Sequence, residues 1–127
     1  MVPNLWKKNK IMIRDYSKLF NDLNRQIGRL EERIPETMKQ FDGLHKASTA
    51  PGQLSTKTKE LIALGIAIAV RCDGCMAFHV HTALDAGASA EEIAEAVGVA
   101  ILMGGGPSVV YGSEALQALE QFQVLEH

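Results

Sequence analysis

Leu61-Ile62-Ala63-Leu64-Gly65-Ile66-Ala67-Ile68-Ala69-Val70 is the stretch whose conformation fixes the class of the fold. Its β-branched residues, Ile66 to Val70 above all, invite a strand, and its unbroken apolar character invites a membrane span. Ten residues fall well short of the roughly 20 that cross a bilayer as a helix. The interleaved alanines favour helix over strand, and the hydroxyl of Ser55 or Thr56 upstream can cap a helix start. The stretch therefore predicts a helix from about Ser55 to near Arg71. Val97 to Ile101 raises the same question and takes the same answer, because Ser89 followed three residues later by Glu92 is a capping-box pattern.

Working outward, Tyr16, Leu19, Phe20, Leu23, Ile27 and Leu30 recur at steps of three and four, with charged residues between them, as an amphipathic helix does. Ile34-Pro35-Glu36 restarts a helix, since proline suits a first turn, and Met38, Phe41 and Leu44 carry its apolar stripe. Ala47 to Ser55, with Pro51-Gly52, reads as a loop. A further helix begins around the cysteines at 72 and 75 and stops at Gly87, and another runs through Ile93 to Met103. Gly104-Gly105-Gly106-Pro107 breaks it, and Ser108 to Phe122 closes the chain as a helix with Leu116, Leu119 and Phe122 spaced by threes. No strand, hairpin or internal repeat is signalled. The expectation is an all-α fold of about six helices.

A chain of 127 residues has material for one core, so 1–127 is expected to form a single domain. Its centre should span about 35–124, preceded by a tail over 1–14. Leu125-Glu126-His127 looks like the remnant of an expression tag, and His127 is kept out of functional argument. Hydrophobic residues at 46% and charged residues at 22% are ordinary globular values. Thirteen basic against fifteen acidic residues, a net charge of −2, leave no electrostatic footprint for nucleic acid or an anionic membrane. The Lys7, Lys8 and Lys10 cluster is better explained as a solvated terminal segment. No positive region leads into an apolar one at the start, so a cytoplasmic protein is expected. The helices around Ile66 and Val97 are apolar nearly all round, more than a small six-helix layer can cover, and self-association is the natural outlet.

The chemistry concentrates in Cys72-Asp73-Gly74-Cys75, with His79 four residues on and Glu60 twelve residues before the first cysteine. Two cysteines this close bracket too small a loop to staple a fold. If helical geometry reaches back to Cys72, steps of three and four align Cys72, Cys75 and His79 on one stripe. Cys75 and His79 are one turn apart, close enough for the imidazole to draw the thiol proton. A cysteine in a first turn also faces unpaired backbone N–H groups and the positive helix end, which favour the reactive thiolate. Proximity to His79 favours Cys75 as the reactive thiol and leaves the reverse assignment open. His81, about 200° round the helix from His79, should lie at a surface or subunit interface.

Glu60, Cys72-x-x-Cys75 and His79 in this register resemble the alkylhydroperoxidase D-like branch of the carboxymuconolactone decarboxylase family. So do Leu54-Ser55, Lys59 to Leu64, Ala86-Gly87-Ala88 and Glu91 to Ala96. The resemblance implies an all-α fold and an antioxidant peroxidase that reduces hydroperoxides through its cysteine pair. It makes Cys75 peroxidatic and Cys72 resolving, with His79 and Glu60 as the proton relay and no cofactor or metal. It implies a lipoylated or thioredoxin-like reductant and a homo-oligomer, trimer or hexamer. The decarboxylase branch acts on a lactone without this cysteine pair, so the pair argues against that activity. One departure stands out: peroxidase members carry a second histidine just before the second cysteine, and here that place is Gly74.

Three other readings compete. A thiol–disulfide oxidoreductase without peroxidase activity needs the same residues, and a non-catalytic oligomeric binding protein needs only the fold. Zinc could draw on Cys72, Cys75, His79 and His81, but the last two face different ways. Glu95 is explained by the helix dipole, and the glycine run at 104 lacks the lysine and strand of a phosphate loop.

Overall fold

The computed structural model describes residues 12–126. Trp6, the Lys7, Lys8 and Lys10 cluster and His127 lie outside the described residues. Six helices account for the architecture: α1 Tyr16–Arg33, α2 Pro35–Thr49, α3 Thr56–Ala69, α4 Asp73–Asp85, α5 Ala90–Gly104 and α6 Gly106–Glu126. Among the described residues there is no strand, and no helix is long and apolar enough to cross a membrane.

Local chemistry sets most of the boundaries. Ser55 caps α3 by accepting the Thr58 N–H, and Ser89 and Glu92 form the complete capping box of α5. Asp15 caps α1, and Pro35 opens α2. α2 runs on to Thr49, past the expected loop start at Ala47. Its end is satisfied by α3: Thr56 Oγ1 donates to the Thr49 carbonyl at 2.8 Å and Lys59 Nζ to the Ala50 carbonyl at 2.6 Å. The glycine run breaks the chain only at Gly105, which takes φ +68°, so α6 already begins at Gly106.

α3 and α4 end in the same hydrogen-bond pattern with different residues at its key position. At the end of α4, Ala88 N–H bonds the Ala83 carbonyl and Gly87 N–H the Leu84 carbonyl, with Gly87 at φ +93°. At the end of α3, Cys72 N–H bonds the Ala67 carbonyl and Arg71 N–H the Ile68 carbonyl, with Arg71 at φ +61°. Both are Schellman ends, and glycine is the usual occupant of the left-handed position. Arg71 holds that conformation immediately before the first cysteine.

α3 packs on α4 and α5, and α5 on α6. Leu64, Ile68, Met76, Val80, Ile93, Leu119 and Phe122 fill the core, with Tyr16 reaching in from α1. Leu116 is 49% exposed. A strict step of three falls about 60° short of a full turn each time, so Leu116 and Phe122 diverge; the buried face of α6 is Ala115, Ala118, Leu119 and Phe122.

The segment before α1 is tied down as far back as Ile13. Gln117 Oε1 accepts the Ile13 and Arg14 N–H groups, Gln121 Oε1 accepts the Tyr16 N–H, and Gln121 Nε2 donates to the Arg14 carbonyl. The Tyr16 hydroxyl donates to Glu114, and burial with that carboxylate pushes the phenol far above its ordinary range. α2 is different: none of its residues is buried, and Phe41 and Leu44 stand in solvent.

Ile62, Ile66, Val99 and Met103 leave an apolar face on α3 and α5, around a groove of about 520 Å³. This matches the expectation that those helices carry more apolar surface than the bundle covers.

Candidate active site

The Schellman end of α3 delivers Cys72 to the start of α4. Cys72 is the N-cap residue, with extended dihedrals of −103° and 101°. The expected stripe of three helical residues is corrected here: Cys72 stands just outside the helix, and Cys75 and His79 are within it. The pair closes as the Cys72–Cys75 disulfide, with Cα atoms 5.2 Å apart. Cys72 Sγ accepts the Cys75 N–H at 3.3 Å. Cys75 is exposed and Cys72 half-buried.

One turn beyond Cys75, His79 meets Glu60 across the α3–α4 packing, with Nδ1 2.8 Å from Oε2. Opposite a carboxylate, Nδ1 carries the proton, which leaves the Nε2 lone pair free to accept one. The Thr82 hydroxyl donates to the same Glu60 Oε2 at 2.6 Å. The Glu60 side chain is 4% exposed and that of His79 18%, so the carboxyl group is buried with directed hydrogen-bond partners. Phe78 presents its ring to both His79 and His45, edge to face, at centroid distances of 5.1 and 5.6 Å. The arrangement can take a proton from a thiol at one end and hold it over a desolvated carboxylate at the other.

Thr82 escaped the sequence reading although its signal was present, since 75, 79 and 82 continue one helical stripe. His45 also escaped it, and no local spacing could have found it, because it arrives from α2. Its Nε2 lies 4.0 Å from Glu60 Oε1.

His81 faces away from His79 as expected, but not toward open surface. It stacks on Phe20 at 4.4 Å, meets Phe122 edge to face at 5.4 Å, and its Nδ1 is 3.3 Å from Asp85 Oδ2. The physical reason is α1, which covers that side of α4. The same helix fills the space beside Gly74: a β-carbon there would come within 2.6 Å of Leu23 Cδ2. Arg14 adds an ion pair to Asp73 between the cysteines. Tyr111 packs against the core, and Glu95 borders the α3–α5 groove. Among the described residues no group of three or more His, Cys, Asp or Glu side chains is arranged to hold a metal.

A helical bundle with a cysteine pair at the head of one helix, backed by a buried carboxylate and imidazole, defines a thiol-based site. The carboxymuconolactone decarboxylase family profile matches residues 35–118, and the chain belongs to that family. Its Cys72–Cys75 pair agrees with the alkylhydroperoxidase D-like branch. A family protein from Legionella pneumophila, solved in its apo form, superimposes with a TM-score of 0.82 at 43% identity, covering 84% of this chain and 96% of that one. A family protein from Thermotoga maritima, described in connection with an antioxidative response, gives 0.76 at 34% identity over 84% and 92%. An uncharacterized protein of Cupriavidus necator is 41% identical over 105 residues, 83% of this chain and 93% of its own length.

Proposed function

We propose that the protein is a cysteine-based peroxidase. The observation that carries this reading is the disulfide-forming pair at the start of α4 with the His79–Glu60 hydrogen bond one turn behind it. In the reduced protein, His79 takes the proton of Cys75 and the thiolate attacks the terminal oxygen of a hydroperoxide. The O–O bond breaks, Cys75 becomes a sulfenic acid, and the departing alkoxide takes the proton back from His79 as an alcohol. Cys72 then attacks the sulfenic sulfur, and its own proton leaves with the hydroxide as water. Two thiols and one hydroperoxide thus yield a disulfide, an alcohol and water. A lipoylated or thioredoxin-like dithiol returns the pair to the reduced state and is itself oxidised to a disulfide.

The exposed apolar residues on α3 and α5 support a homo-oligomer, which light scattering measures directly. The second reading, disulfide exchange without peroxide chemistry, is favoured by the exposure of Cys75. One assay separates the two: cumene hydroperoxide, tert-butyl hydroperoxide and hydrogen peroxide are offered with dihydrolipoamide or dithiothreitol, and peroxide loss is followed. Loss that depends on Cys75 supports the peroxidase; disulfide cycling with peroxide untouched establishes the second reading.

A further inference from the structure

We propose that His45 is the outer member of the proton relay, exchanging protons between solvent and Glu60; this rests on the thiol chemistry proposed for the Cys72–Cys75 site. The observations are independent of the cysteines. His45 Nε2 is buried and has no hydrogen-bond partner, a costly state for an imidazole nitrogen. It faces Glu60 Oε1 at 4.0 Å, too long for a hydrogen bond and too short for a water to stand between. The other oxygen, Oε2, is already committed to His79 and Thr82. The carboxylate therefore has one oxygen turned to each imidazole.

The carboxylate is the most enclosed member of the row His79–Glu60–His45, and exposure rises from it toward His45. The side chains are 4% exposed at Glu60, 18% at His79 and 35% at His45. His45 Nε2 is buried on the Glu60 side although the side chain as a whole is 35% exposed. The end of α2 is held over α3 by the Thr56 and Lys59 hydrogen bonds, which places His45 above Glu60. Along the rest of α2 no side chain is buried. A rotation of the His45 ring, or a shift of α2 by about 1 Å, closes the gap to hydrogen-bonding range of roughly 3 Å.

The proton balance gives the residue its task. Each turnover moves protons from thiols to departing oxygen, and each reduction of the disulfide delivers protons to two sulfurs. Where those protons exchange with solvent rather than pass directly, the Glu60 carboxyl, at 4% exposure, reaches water only through a more exposed titratable neighbour on its free oxygen, and His45 is the group in that place. His45 reaches the reacting sulfur only through Glu60 and is a positioning and relay residue.

The test uses the full-length protein and two reactions, oxidation of the reduced pair by cumene hydroperoxide and reduction of the disulfide by dihydrolipoamide, each followed across pH. His45→Ala should slow both by about tenfold, and added imidazole should restore most of the loss. His45→Gln, which can hydrogen-bond Glu60 but not carry a proton, should stay slow. Wild-type rates in His45→Ala, no response to imidazole, or full rescue by His45→Gln would each overturn the relay and leave at most a packing role. A wild-type protein that consumes no peroxide sinks the peroxidase reading alone, because disulfide reduction still tests His45.

Discussion

Cys72 Sγ accepts the backbone N–H of Cys75 at 3.3 Å, across the disulfide that joins the two residues. The N-cap position gives Cys72 sulfur a hydrogen-bond donor and the positive end of α4. Cys75, the exposed partner, is the sulfur that a reagent meets first. Cys72→Ser should therefore react with a single equivalent of peroxide and stop, with a sulfenic acid at Cys75 that dimedone traps and mass spectrometry locates. Cys75→Ser should abolish the reaction. Dimedone labelling at Cys72 in the Cys75→Ser protein would reverse the assignment.

Thr82 holds Glu60 from the side opposite His45. Thr82→Val keeps the shape and removes one of the two donors on Oε2. The expected cost is about 1 kcal/mol of stability, read by urea denaturation, with a slower peroxide step as Glu60 loses its orientation. An unchanged rate would show that His79 alone orients the carboxylate.

Gly74 holds the place where the family resemblance leads one to expect a histidine, and a side chain there must first move the end of Leu23 on α1. Gly74→His must displace Leu23 and should cost about 1–3 kcal/mol by overpacking. In a Leu23→Ala background the same substitution should cost less, a coupling that a double-mutant cycle measures. Equal costs in the two backgrounds would remove Leu23 as the obstacle.

The two Schellman ends predict opposite responses. Gly87→Ala puts a β-carbon on a residue at φ +93° and should lose about 1 kcal/mol. Arg71→Gly relieves the same strain at φ +61° and should be neutral or stabilising despite the loss of a side chain. Thermal melts of the two variants decide it; a destabilised Arg71→Gly would mean that the guanidinium has a structural role.

Much of this was legible in the sequence because it is local. Ser55, Pro35 and the Ser89/Glu92 pair announce their helices through groups only a few residues apart. The site was legible to the extent that it lies on one helix: Cys75 and His79 share a stripe. Glu60 came from family register and meets His79 only once α3 packs on α4. His45 and Leu23 are tertiary neighbours supplied by α2 and α1; the apolar stripe of α1 includes Leu23, but nothing local announces that either residue lies beside the site. The end of α2 is not announced locally for the same reason, since carbonyls at that end are satisfied by side chains from α3.

Glu92 gives the acid limb of stability a specific contributor. Its carboxylate accepts the Ser89 N–H and pairs with Lys57, and these contacts hold its pKa below the ordinary value of 4.5. The depressed value means that the folded state releases this proton more readily than the unfolded chain. Its contribution is therefore complete above pH 4.5 and is lost as pH falls through the lower folded-state value. Glu92→Gln should flatten that part of the stability curve and leave the neutral-pH melting temperature modestly lower. Ser89→Ala, which removes the other half of the box, should cost about 1 kcal/mol at neutral pH. Urea titrations at pH values on both sides of 4.5 check both, and an acid limb unchanged by Glu92→Gln would assign it to other carboxylates.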